Sequence, residues 1–143
     1  LYKEHNMTYK LGSKSKRKLI GVNPDMVDVV FRAIELTTQD FSVIEGLRSV
    51  ERQKKLVAAG KSKTMNSRHL TGHAVDLAPY PFDGDRDEDG IQNIHDWDQY
   101  YPIADAMKQA AEELGVDIDW GGDWTTFPDG PHYQLTWKEY PNV

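Results

Sequence analysis

Residues 67–79 read Ser-Arg-His-Leu-Thr-Gly-His-Ala-Val-Asp-Leu-Ala-Pro, and the second half of this stretch sets the architecture. Alternation along 74–78 places Val75 and Leu77 on one side of an extended segment, with Ala74, Asp76 and Ala78 on the other. The apolar pair belongs against a core, which turns Asp76 toward a cleft walled by small residues. Pro79 closes the strand. Such a one-sided strand needs partners and a covering layer.

The flanking sequence offers both. Upstream, Phe41–Leu47 reads as a strand. Before it, Asn23-Pro24-Asp25 combines a capping side chain, a proline at the first helical position and an acid in the first turn. Met26, Val29, Val30, Ala33, Ile34 and Thr37 then keep the three-four spacing of one buried helix face. Ser49 caps a second helix over 50–59, which Gly60 stops.

Downstream, residues 81–98 form a polar loop. A third helix follows Pro102, with Ile103, Ala106, Met107, Ala110, Ala111 and Leu114 on one side and Gly115 at its end. Residues 116–120 and 131–135 read as two more strands around a glycine- and tryptophan-containing turn. The sum is an α+β domain, a small antiparallel sheet with helices packed on one side. A chain of 143 residues suits one such core and not two. The expected layout is a single domain over 12–143, with an acidic insertion at 82–98 and a flexible arm at 1–11. A natural start at Met7 would make residues 1–6 an expression remnant. Lys10, Lys14, Lys16, Arg17 and Lys18 read as a solvated, partly flexible arm.

Composition narrows the chemistry. With no cysteine there is no disulfide frame and no thiolate ligand, so a transition metal must sit on imidazole and carboxylate. Residues 83–98 hold seven acids against Arg86 alone and account for the whole net charge of −6. A nucleic-acid partner wants a basic face, so none is expected. No apolar run is long enough for a membrane span.

Ser67-Arg68-His69-Leu70-Thr71-Gly72-His73-Ala74-Val75-Asp76 and Asp129-Gly130-Pro131-His132 can together supply a catalytic metal site. Zinc hydrolases need about three nitrogen or oxygen ligands and a nearby carboxylate free of the metal. His69, Asp76 and His132 can be the ligands and Asp129 the free base. Alternation sends His132 and Gln134 to one face, Tyr133 and Leu135 to the other. His73 lies four residues from His69, but Thr71-Gly72 disfavours the helix that would align them, so His73 is read as a neighbour. The competing reading is that these histidines are hydrogen-bonded structural residues.

The stretches SRHLTGHAVDLAP (67–79), WGGDW (120–124) and DGPHYQL (129–135) resemble the D-alanyl-D-alanine and L-alanyl-D-glutamate metallopeptidases. Phage endolysins of the L-alanyl-D-glutamate type are nearest in pattern. EGLRSVERQ (45–53) and YYPIADAM (100–107) extend the resemblance over about Gly12 to Pro141. It implies a Hedgehog/D,D-peptidase-like fold, zinc on His69, Asp76 and His132, and Asp129 as the catalytic base. It also implies that Arg48 holds a substrate carbonyl or oxyanion and that Ser67 lies near the substrate. Left to themselves, Arg48 reads as a surface ion pair and Asp129 as a turn residue.

The implied activity is zinc-dependent hydrolysis of peptidoglycan stem peptides at the L-alanyl-D-glutamate bond. The alternatives are a D-alanyl-D-alanine carboxypeptidase and a non-catalytic metal-binding module. The peptide substrate is the one expected partner, and the chain is expected to be a monomer. LYKEHN lacks the order of a secretory signal. The expectation is therefore accumulation in the host cytoplasm until release, then action on the cell wall.

Asp85, Asp87, Asp89, Asn93 and Asp96 match the frame of an oxygen-ligand calcium loop, with Gly90 at its sixth position. Closely spaced carboxylates repel unless a cation joins them, so Ca2+ is a second candidate cofactor. Asp96 stands where a bidentate glutamate is usual, and Gln92 where an apolar residue is. The plain alternative is a solvated acidic loop.

Overall fold

The computed structural model describes residues 8–82 and 94–142, the side chains of 94–96 excepted. The calcium-loop residues Asp85, Asp87, Asp89 and Asn93, and the side chain of Asp96, lie outside the described residues. The chain runs α1 (Ser13–Lys18), α2 (Pro24–Leu36), β1 (Phe41–Glu45), α3 (Val50–Ala58), β2 (Ala74–Pro79), α4 (Tyr100–Leu114), β3 (Ile118–Trp120) and β4 (His132–Leu135). Short 3-10 turns at Arg68–Thr71, Ile94–Gln99 and Gly121–Asp123 join them. The sheet is antiparallel throughout, in the order β1-β2-β4-β3.

One face of this sheet makes the core. Val43, Val75, Leu77, Tyr133 and Leu135 meet Met26, Val29, Val30, Ala33 and Ile34 of α2 and Ile103, Met107 and Ala110 of α4. Burying each large aliphatic or aromatic side chain contributes about 1.5–3 kcal/mol, so this layer carries most of the favourable energy. Asn23 caps α2 by accepting the Asp25 amide at 2.9 Å. Trp120 stacks on Tyr133, with ring planes 17° apart, and donates from Nε1 to the Gly130 carbonyl at 2.7 Å.

The differences from the sequence-based expectation are local. The basic residues near the start are exposed, but an unforeseen helix, α1, carries all of them except Lys10 and buries Ser15, whose hydroxyl accepts the Val43 amide at 2.9 Å. β1 stops at Glu45 because Gly46 packs directly on the Lys18 carbonyl, where no Cβ fits. α4 begins at Tyr100, two residues ahead of Pro102, which the first helical turn tolerates. α3 buries Gln53 alone and walls the cleft instead of covering the core.

β1 also carries a bulge. Val43 pairs with Leu77, yet Glu45 pairs with Asp76, so one residue is taken up between them. Without that extra residue, Glu45 would alternate onto the core face. The bulge delivers its carboxylate to the same face as Asp76.

Arg68 anchors the C-terminal segment. It is 2% exposed, yet it donates to Asn142 Oδ1 and to the carbonyls of Leu135, Thr136 and Tyr140, under the ring of Trp137. Arg68→Met is expected to leave these acceptors unmatched and cost about 2–4 kcal/mol. Urea unfolding at constant m-value measures it; a loss under about 0.5 kcal/mol would mean water replaces the guanidinium at no cost.

Candidate metal centre and cleft

The cleft-facing sides of β2 and β4 carry the polar cluster. Asp76 sits directly opposite His132 in the ladder, and Ala74 opposite Gln134. His69 comes from the 3-10 turn, whose Ser67 cap accepts the His69 amide at 3.2 Å. Gly72 ends that turn at φ +75°, packed against the Gly21 carbonyl, and lets the chain swing into β2. The metal-ligating atoms of His69, Asp76 and His132 lie within 4.8 Å of one another.

Hydrogen bonding fixes what each group presents. His69 Nδ1 faces the Gly46 carbonyl at 2.8 Å, so it must carry the proton and donate. Its Nε2 then directs a lone pair toward Asp76 Oδ1, 3.2 Å away. His132 Nε2 donates to Gln134 Oε1 at 2.8 Å, and Nδ1 faces the same Asp76 oxygen at 3.1 Å. Two imidazole lone pairs and a carboxylate converging on one point repel unless positive charge lies among them. A proton on an imidazole or a divalent cation satisfies the set. The donors suit zinc, and each histidine has the outer acceptor that orients a metal-bound imidazole.

His73 faces elsewhere. Its Nδ1 is 2.6 Å from the Thr71 hydroxyl, and its ring lies beside Tyr140.

Electrostatics follow from this geometry. Burial pushes the Asp76 carboxyl up, but the imidazoles of His132 and His69, which donate to it when protonated, outweigh burial and hold it well below the usual range. Burial pushes His132 down, and the bond to Asp76 overrides it and raises the imidazole. Asp129 is half-buried, and burial, then the charge of Asp76, push it above the ordinary carboxylate value.

A raised histidine stabilises the fold below its unfolded pKa of about 6.5 and loses that contribution as pH rises through the folded value. The metal-free chain should therefore lose thermal stability from pH 6 to 8. The metal-loaded chain should not, because the ligands must be neutral imidazoles and metal affinity grows with pH. Scanning calorimetry at both pH values, with and without a chelator, reads this; parallel trends in the two forms would contradict it.

A cleft of about 440 Å³ opens over the cluster, lined among others by Arg48, Arg52, Ser67, Trp124 and Asp129. The loop before β4 is held tightly: the Asp129 amide donates to the Gly121 carbonyl at 2.9 Å. A Cβ on Gly121 would strike the Asp129 carbonyl and the side chain of His132. Gly121 thus lets the Asp129 loop lie against β4, while Gly122 leaves room for the Trp120 ring, reasons composition alone did not give. Trp124 covers the His132 ring at 5.2 Å between centroids.

Arg48 is 3.8 Å from Asp76 Oδ2, and its side chain is 9% exposed. It is no loose surface pair. Nε and Nη2 bind both oxygens of Glu45 at 2.9 and 2.7 Å, and Nη1 donates to the fully buried Gln53 at 2.8 Å. Three of its five N–H groups are engaged there. Gln53 in turn donates to Ser62 Oγ and the Thr64 carbonyl, tying the arginine to the far loop. The sequence reading missed Glu45, Gln53 and Gln134 as supports. The i, i+3 spacing of Glu45 and Arg48 was the available signal.

Among the described residues no helix is long and apolar enough to cross a membrane. A family model described as phage L-alanyl-D-glutamate peptidase matches residues 7–136. The L-alanyl-D-glutamate peptidase of Escherichia phage T5 is 32% identical over 126 residues, 86% of this chain and 87% of that protein. The peptidoglycan L-alanyl-D-glutamate endopeptidase CwlK of Bacillus subtilis (strain 168) is 34% identical over 110 residues, 67% of this chain and 60% of that protein. The crystal structure of the Serratia marcescens L-Ala D-Glu endopeptidase ChiX is similar at a TM-score of 0.80 and 43% identity, covering 99% of each chain. The Hedgehog/D,D-peptidase-like α+β fold expected above is the one observed. With the match spanning nearly the whole chain, it belongs to the phage L-alanyl-D-glutamate peptidase family.

Proposed function

We propose that this chain is a zinc-dependent endopeptidase that hydrolyses the L-alanyl-D-glutamate bond of peptidoglycan stem peptides. The observation that carries the reading is the convergence of His69, Asp76 and His132 at the floor of an open cleft, with Asp129 beside them. Relatives named for this activity at 32–43% identity support the choice of bond.

His69, Asp76 and His132 would hold the ion. Zinc bound there supplies Lewis acidity, polarising a carbonyl and making water more acidic. Asp129 is the proton carrier. Its carboxylate takes the proton of the attacking water and later returns it to the leaving amine. A pKa raised by burial brings it closer to the working pH, which favours both transfers. Arg48 keeps two N–H groups beyond those bound to Glu45 and Gln53. These can hold the substrate carbonyl as negative charge develops on its oxygen, and the rigid pairing to Glu45 removes the cost of orienting them. Ser67 serves the substrate from the cleft wall while it caps the His69 turn.

Digestion of purified peptidoglycan, read by mass spectrometry, distinguishes the possibilities. New N-terminal D-glutamate is expected. Release of D-alanine alone would assign a carboxypeptidase, and an unchanged wall would assign a non-catalytic module.

A further inference from the structure

Arg52 has no part in the scheme above, yet it stands at the cleft wall. We propose that Arg52 forms a carboxylate subsite for the glutamyl residue that carries the leaving amine. The proposal rests on the peptidase reading.

Glu45, brought to the cleft face by the bulge, is shared by two arginines. Arg48 already takes both of its oxygens, and Arg52 adds only Nε on Oε2 at 3.0 Å. Glu45 therefore needs no second partner, and the three groups together carry one net positive charge. That surplus lies on the outer member, because the Arg52 side chain is 58% exposed while that of Arg48 is 9% exposed.

Geometry points the same way. Arg52 Nη1 and Nη2 have no hydrogen-bond or ion-pair partner among the described residues. With Nε pinned, the guanidinium plane is oriented before any ligand arrives, and its two terminal nitrogens form the fork that matches a carboxylate. Lys61, on the same cleft, adds positive charge. The cleft is thus polarised, with Asp76 and Asp129 over the floor and an unspent guanidinium on the wall. A glutamyl residue keeps one carboxyl group outside its peptide link, so the substrate supplies the matching anion.

Two synthetic peptides containing the L-Ala–D-Glu bond, differing only in whether that carboxyl is free or a carboxamide, provide the test with the metal-loaded full chain. The wild type is expected to favour the free carboxylate by roughly 10–100-fold in kcat/KM. R52Q should bring this ratio to within about twofold of one, chiefly through a higher KM for the carboxylate peptide. R52K, which keeps the charge and loses the fork, should fall between. A wild type that cuts both peptides equally overturns the subsite and leaves the peptidase reading standing. An R52Q ratio equal to that of the wild type, with both rates lowered together, assigns Arg52 a structural role and overturns it as well. Cleavage of neither peptide by the wild type overturns the peptidase reading and the subsite with it.

Discussion

Asp76→Ala is expected to weaken metal binding by well over 100-fold and to reduce hydrolysis to background. Changing a group that merely orients a metal-bound histidine costs 10–100-fold, and among the described residues Asp76 is the carboxylate that the cluster offers for direct ligation. Its loss also removes the anion that both imidazoles face. A second consequence separates this variant from simple unfolding. Asp76 is the largest of the groups that raise His132, so the metal-free variant should lose most of the stability decline between pH 6 and 8 expected of the wild type. Isothermal titration with zinc and calorimetry of the metal-free protein read the two effects. Wild-type zinc affinity in the variant would remove Asp76 from the ligand set.

Asp129→Asn should behave in the opposite way. The metal stays bound, the fold stays intact, and kcat falls by roughly 10²–10⁴-fold, the contribution typical of a positioned general base. On the barrier this is about 3–5 kcal/mol. The carboxamide keeps the shape of the side chain, so the hydrogen bonds that the Asp129 backbone donates to Gly121 and accepts from the His132 amide should survive. Zinc content near the wild-type value together with a lost kcat is the expected pair of results. A rate within threefold of the wild type would show that another group carries the proton.

How much of this was legible beforehand differs from residue to residue. The core face was, because Val75 and Leu77 alternate with Asp76 and a strand has only two sides. The same alternation turned His132 and Gln134 together. Residue chemistry made His69 a candidate ligand beside them, but its convergence had only the resemblance behind it as a geometric expectation, since a 3-10 turn ending at a left-handed glycine has no periodicity to read. The bulge at Val43–Glu45 was invisible for a related reason: it breaks the period from which faces are inferred. Glu45 therefore read only as part of a strand and Arg52 and Gln53 only as part of a helix, when Arg48 and Glu45 join them into one bonded group. α1 escaped because six residues, mostly basic, bury a single serine and leave no apolar stripe.

The central claim is that His69, Asp76 and His132 share one ion. Anomalous diffraction at the zinc absorption edge, from crystals of the zinc-loaded chain, tests it most directly. The account predicts a strong peak bounded by His69 Nε2, His132 Nδ1 and the Asp76 carboxylate. A zinc peak found only elsewhere in the molecule, with these three side chains bonded to each other as they are here, would contradict it.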